Sequence, residues 1–148
     1  MSIIHLRPGE GQHYPMIDGD HIAKATVQDA VGAFEVFEVV APAAPMAPTH
    51  VSPWTGVLVL LEGRVTVVVD GTSCDVDPGE MVVIPAGTPA TFGVVGDSAR
   101  FLAITSGSGA GRFFADFADS VPLDRPIQES MAAILAVTGR HGVVTAGG

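Results

Sequence analysis

Between Ala33 and Thr105 the chain is a succession of short valine-rich runs, each closed by residues that reverse the backbone. Residues 33–40, 56–61, 65–70, 80–84, 90–95 and 99–105 form runs rich in β-branched side chains, the texture of strands rather than of helices. Between them stand Glu62-Gly63, Asp70-Gly71, Pro78-Gly79, Pro85-Ala86-Gly87 and Gly96-Asp97. Each supplies a residue tolerant of positive φ or a proline that pre-sets the bend. Short strands joined by tight turns predict an antiparallel sandwich or small barrel. Residues 3–6 and 21–26 are weaker strand candidates upstream.

Composition bounds what such a fold can do. With 148 residues, 47% of them hydrophobic and 16% charged, the chain has enough apolar side chain for a packed core and is not a disordered segment. The expectation is one domain over 1–148, with a barrel at about 10–106 and helices at about 111–139. Seven Lys and Arg against sixteen Asp and Glu give a net charge of −9, the wrong sign for a nucleic-acid surface. The acidic residues are scattered, as solubility alone requires. The lone Cys74 excludes an internal disulfide and a cysteine zinc cluster, and reads as a small half-buried residue. The start MSIIHLRPGEGQHYP lacks a basic stretch followed by a long apolar run, and 56–61 is too short to span a bilayer. Neither a membrane nor a nucleic acid is expected as a partner, and a cytoplasmic location is.

After Ser106-Gly107-Ser108-Gly109 the period changes. Residues 111–119 place Phe113, Phe114 and Phe117 at helical spacing, and 127–137 put Ile127, Met131, Ile134 and Leu135 on one packed face. Pro126 suits the first turn of that second helix and Gly139 its end. Two C-terminal helices lying on the barrel are predicted.

The segment Thr49-His50-Val51-Ser52-Pro53-Trp54-Thr55-Gly56, followed by an apolar strand ending at Glu62-Gly63, resembles the first cupin motif. Gly79-Glu80-Met81-Val82-Val83-Ile84-Pro85-Ala86-Gly87-Thr88-Pro89-Ala90 resembles the second. Gly32 to Glu38, Arg112-Phe113-Phe114 and Arg140-His141-Gly142-Val143 look like the quercetin-dioxygenase-like branch of small bacterial cupins, so the resemblance runs over about residues 10 to 145. It implies an all-β fold, a cupin (jelly-roll) β-barrel with two short C-terminal helices, and pairing as a homodimer, for which an N-terminal strand running up to Thr26 offers an edge.

In that family two histidines and a glutamate of the first motif and a histidine of the second hold one divalent metal. Carried over position by position, His50 is the first of these. Ser52 stands at the second, Gly56 at the glutamate and Ala90 at the last. Glycine and alanine have no side-chain donor, so no metal and no other cofactor is expected. The alternative is iron, manganese, copper or nickel recruited through His50 and an inward Glu35 or Glu38.

A barrel without its metal still encloses a cavity suited to one small molecule. Its lining is expected from Ser52, Gly56, Leu58, Leu60, Ala90 and Phe92, with Met46 and Trp54 near the mouth. His50 reads as a proton-transfer or hydrogen-bonding group, or as an inward histidine satisfied by Ser52 or water. Glu35 and Glu38 face opposite ways along one strand, so one of them points inward and is a candidate partner for His50; an edge position is the plainer reading of each. His21 and Lys24 reach toward the mouth or stand exposed on their strand. His5 and His13 read as exposed, His141 as a structural hydrogen-bonding residue, and Arg64 and Arg100 as solvated.

The function so indicated is a metal-independent cupin that holds a small apolar or aromatic molecule, as a cyclase or isomerase of secondary metabolism if catalytic. A quercetinase-like dioxygenase with a non-standard metal site and a non-catalytic small-molecule binder are the alternatives.

Overall fold

The turn at Asp70-Gly71 shows in miniature how this sequence makes sheets. Both residues take positive φ, 50° and 79°, the two-residue turn whose twist matches that of paired strands. It joins Val65–Val69 to Thr72–Val76 in antiparallel register, with Val65 opposite Val76 and Val69 opposite Thr72. At Gly63 (φ 83°) a Cβ would lie 2.4 Å from the carbonyl oxygen of Ser98, so only glycine fits the turn that leads into Val65.

The computed structural model describes residues 3–145, so residues 1–2 and 146–148 of the expected domain lie outside the described part. In chain order the strands are β1 (Gln12–Met16), β2 (Gly19–Gln28), β3 (Ala33–Pro42), β4 (His50–Val51), β5 (Gly56–Glu62), β6 (Val65–Val69), β7 (Thr72–Val76), β8 (Met81–Ile84), β9 (Ala90–Val94) and β10 (Ser98–Ser106). Helix α1 (Gly109–Ser120), a 3-10 turn at Ile127–Ser130, helix α2 (Met131–Arg140) and the short strand β11 (Val144–Thr145) follow.

Two antiparallel sheets face one another. The first has the order β1-β2-β3-β10-β5-β8 and the second β11-β4-β9-β6-β7. The architecture is the expected all-β jelly roll with two short C-terminal helices, its sheets packed as a sandwich rather than bonded into one closed cylinder. At one end, Val39, Leu60, Val65 and Val67 are fully buried between the sheets with Phe101. At the other end the three phenylalanines of α1 pack with Phe37, Ile134 and Val137, so the helices close what the sheets leave open. Each such side chain contributes about 1.5–3 kcal/mol by leaving water.

Several expectations change. Residues 3–6 form no strand. Strand β1 escapes the pattern because Gln12, His13 and Pro15 interrupt it, and β7 because its residues before Val76 are exposed. Cys74 lies on that strand and is exposed rather than half-buried. Met131 and Leu135 are not packed in a core: they are 46% and 56% exposed, while Ile134 beside them is buried.

Candidate functional site

The register of the first sheet sets the floor of a cavity. His21 lies opposite Val39, which lies opposite Phe101; Phe37 lies opposite Ala103, which faces Leu58; Thr105 lies opposite Gly56. Because side chains alternate along a strand, Phe101, Ala103 and Thr105 share one face, and it is the inner one. On the second sheet His50 pairs with Ala90, and Ala90 with Val69. Between the sheets lies a cavity of about 420 Å³, within the size range of small-molecule sites.

All four positions of the expected ligand set reach this cavity: His50, Ser52, Gly56 and Ala90 line it. The donors themselves do not fit a divalent metal. One imidazole and one hydroxyl are present, and among the described residues no three His, Cys, Asp or Glu side chains stand together as a ligand group. A Cβ built on Gly56 meets nothing within 4 Å, so the glutamate position is open space.

The wall is aromatic and aliphatic. Phe92 meets Phe101 edge-on at 5.2 Å, and Trp54 lies 5.8 Å from Phe113, all four at the cavity. Leu58 lines it as well. Leu60 does not: it is fully buried in the core cluster. Met46 lies outside the lining and packs over Gly93, where a Cβ would be 3.2 Å from its terminal methyl. Its neighbours Ala47 and Pro48 stand at the cavity instead.

The polar groups are few. His50 Nδ1–H donates to the Pro48 carbonyl at 3.4 Å, which is its side-chain hydrogen bond among the described residues. Thr91 is occupied by the Ala47 carbonyl at 2.6 Å. The hydroxyl of Thr105 is buried without a hydrogen-bond partner among the described residues.

Neither glutamate lines the cavity. Glu35 is on the inner face of β3, but α1 covers it: one carboxyl oxygen accepts from the Gly111 N–H at 3.0 Å and the other from the Thr26 hydroxyl at 3.1 Å. Glu38 is on the outer face, buried beneath the N-terminal segment, where it accepts from the Gly9 N–H at 2.8 Å and pairs with Lys24 at 3.0 Å and Arg100 at 3.3 Å. Burial opposes its ionisation, yet Gly9, Lys24 and Arg100 outweigh that and hold its carboxyl below the usual range. Arg100 is therefore tied in rather than solvated; Arg64, half exposed, pairs with Asp77 at 3.0 Å. His141 is structural, donating to Asp116 at 2.8 Å beside Arg140.

His21, Asp18 and Thr105 also line the cavity; sequence reasoning left His21 between the mouth and an exposed strand position and singled out neither Asp18 nor Thr105. The exposed alternative for His21 does not hold. Ile22 is buried on the outer face and His21 on the inner, 6% exposed. The signal that would have found His21 is its register with Val39, which only the pairing of β2 with β3 supplies.

Residues 36–105 match the family model described as the Cupin domain. No curated protein sequence matches the chain. Among solved structures, the chain is similar to the polyketide cyclase RemF from Streptomyces resistomycificus, at 22% identity over 72% of this chain and 81% of that one, with a TM-score of 0.61. It is similar to plu4264 from Photorhabdus luminescens at 13% identity over 77% and 95% of the two chains, TM-score 0.59. The cupin domain of Cnp3 from Schizosaccharomyces pombe gives 13% identity, 75% and 79% coverage and a TM-score of 0.57. At such identities the likeness is one of fold.

Proposed function

We propose that this chain, a cupin in fold, binds a small, largely apolar or aromatic molecule in its cavity without a metal and directs its cyclisation or isomerisation. The observation that carries the reading is that the four metal-ligand positions converge on an aromatic cavity while only His50 retains a ligand side chain. Space that the ligand side chains would occupy at Gly56 and Ala90 becomes space for substrate. Holding a flexible molecule in one reactive conformer supplies much of a ring-closing barrier through orientation alone. His50 then moves a proton or holds a carbonyl oxygen. RemF, similar in fold, is a polyketide cyclase, which supports a role of this kind. The fold is equally compatible with the quercetin-dioxygenase-like branch, but the donor set here does not fit that chemistry.

Metal analysis of protein purified without an immobilised-metal column tests the reading. The expected result is far less than one transition metal per chain. One iron, manganese, copper or nickel per chain would overturn it.

A further inference from the structure

His21 stands in the cavity wall with a carboxylate beside it. Its Nδ1–H donates to the Gly19 carbonyl at 3.1 Å. A carbonyl oxygen only accepts, so this contact fixes the ring proton on Nδ1 and leaves the Nε2 lone pair available. Asp18 Oδ1 lies 3.9 Å from Nε2, too far to occupy the neutral ring and close enough to pair with it once Nε2 gains a proton. The ring packs on Phe114 with centroids 4.5 Å apart, and its side chain is 7% exposed. His21 belongs to the six-stranded sheet and His50 to the five-stranded one, so two imidazoles enter the cavity from opposite walls.

We infer that His21 is the general base of this cavity, that Asp18 stabilises its imidazolium, and that the substrate is an aromatic compound bearing an enolisable carbonyl. The inference rests on the reading of the cavity as a small-molecule site. A carbon acid next to a carbonyl needs what these walls offer: a base for the carbon and a donor for the oxygen. Nε2 of His21 takes the proton from that carbon, and the C–H electron pair becomes a C=C bond. The C=O π pair moves to oxygen, which takes a proton from His50 in its imidazolium form. Return of the protons, to the same carbon or another, completes exchange or isomerisation with no net oxidation and no co-reactant.

The test uses 2-tetralone, a bicyclic aromatic ketone, in D2O with the full chain. Loss of the C1 proton signal by NMR reports enolisation, and quenching of Trp54, the single tryptophan and a cavity residue, reports binding. The wild type is expected to accelerate exchange with saturation. His21→Gln lowers kcat by about 10²-fold while Trp54 is still quenched. Asp18→Asn keeps the imidazole and lowers kcat with KM unchanged, a split that a purely structural role would not produce. Added imidazole restores exchange to His21→Ala, which an unfolded variant would not show. Wild-type exchange rates in both His21→Gln and Asp18→Asn, with 2-tetralone bound, overturn the inference and leave the cavity reading standing. Failure of 2-tetralone to bind the wild type overturns both.

Discussion

Gly56 decides more about this cavity than any residue with a side chain. It stands where the cupin resemblance would put a metal-binding glutamate, its backbone is not in the positive-φ region, and a Cβ there meets open space. A larger side chain can therefore enter the cavity without straining the strand. Gly56→Leu should weaken the binding of 2-tetralone by about tenfold or more, equivalent to about 1.4 kcal/mol, with an unchanged far-UV circular dichroism spectrum. Fluorescence titration of Trp54 measures it; unaltered affinity would show that ligand sits elsewhere. At this scale the motif spacing was informative: His50, Ser52, Gly56 and Ala90 reach one cavity because a jelly-roll frame of turns and strands places them there. His21 was legible only in part, because the sequence leaves it between the mouth and an exposed strand position, and only its register with Val39 decides for the inner face.

Among the elements, α1 is the one the site depends on, since Phe113, Phe114 and Phe117 form part of the cavity wall. Its N-terminus has no side-chain cap from Ser108, and Glu35 on β3 supplies the acceptor for the Gly111 N–H instead. The fit is close: a Cβ on Gly111 would stand 2.5 Å from a Glu35 carboxyl oxygen. Glu35→Ala leaves the N–H and the Thr26 hydroxyl without their acceptor and should cost about 1–3 kcal/mol in chemical denaturation. A loss near zero would mean that α1 is held by its phenylalanines alone. The far end of the helix is tied by Asp116, whose carboxylate accepts from Arg140, His141 and Ser120 and is held well below the usual range by them, Arg140 foremost. The helices themselves were legible from the spacing of their apolar residues. What that spacing hid is that Met131 and Leu135 belong to the cavity mouth: periodicity says which side chains share a face, not whether that face meets a core or an opening.

Across the whole molecule, the N-terminal segment is pinned to the outside of the first sheet by one buried cluster, Glu38 with Lys24, Arg100 and the Gly9 N–H. The folded carboxyl titrates below its ordinary value of 4.5, so the unfolded chain binds the proton more readily. The stability this cluster contributes is complete above about pH 4.5 and is lost as pH falls through the lower, folded value. Glu38→Gln should therefore lower stability near neutrality by about 3 kcal/mol and flatten the acid limb of the stability profile. An acid limb identical to that of the wild type would assign the pH dependence to other carboxylates. Glu35 and Glu38 illustrate the limit of reading a strand by alternation. It assigns them to opposite faces, but only the packed helix and the overlying N-terminal segment show that both carboxyls are consumed by structure. The cavity is left with imidazoles, hydroxyls and one carboxylate set in an aromatic wall. The most direct test of a metal-independent cavity is a Trp54 fluorescence titration with 2-tetralone, run with and without excess chelator. Saturable quenching that the chelator leaves unchanged is the predicted result, and quenching that disappears on chelation would contradict it.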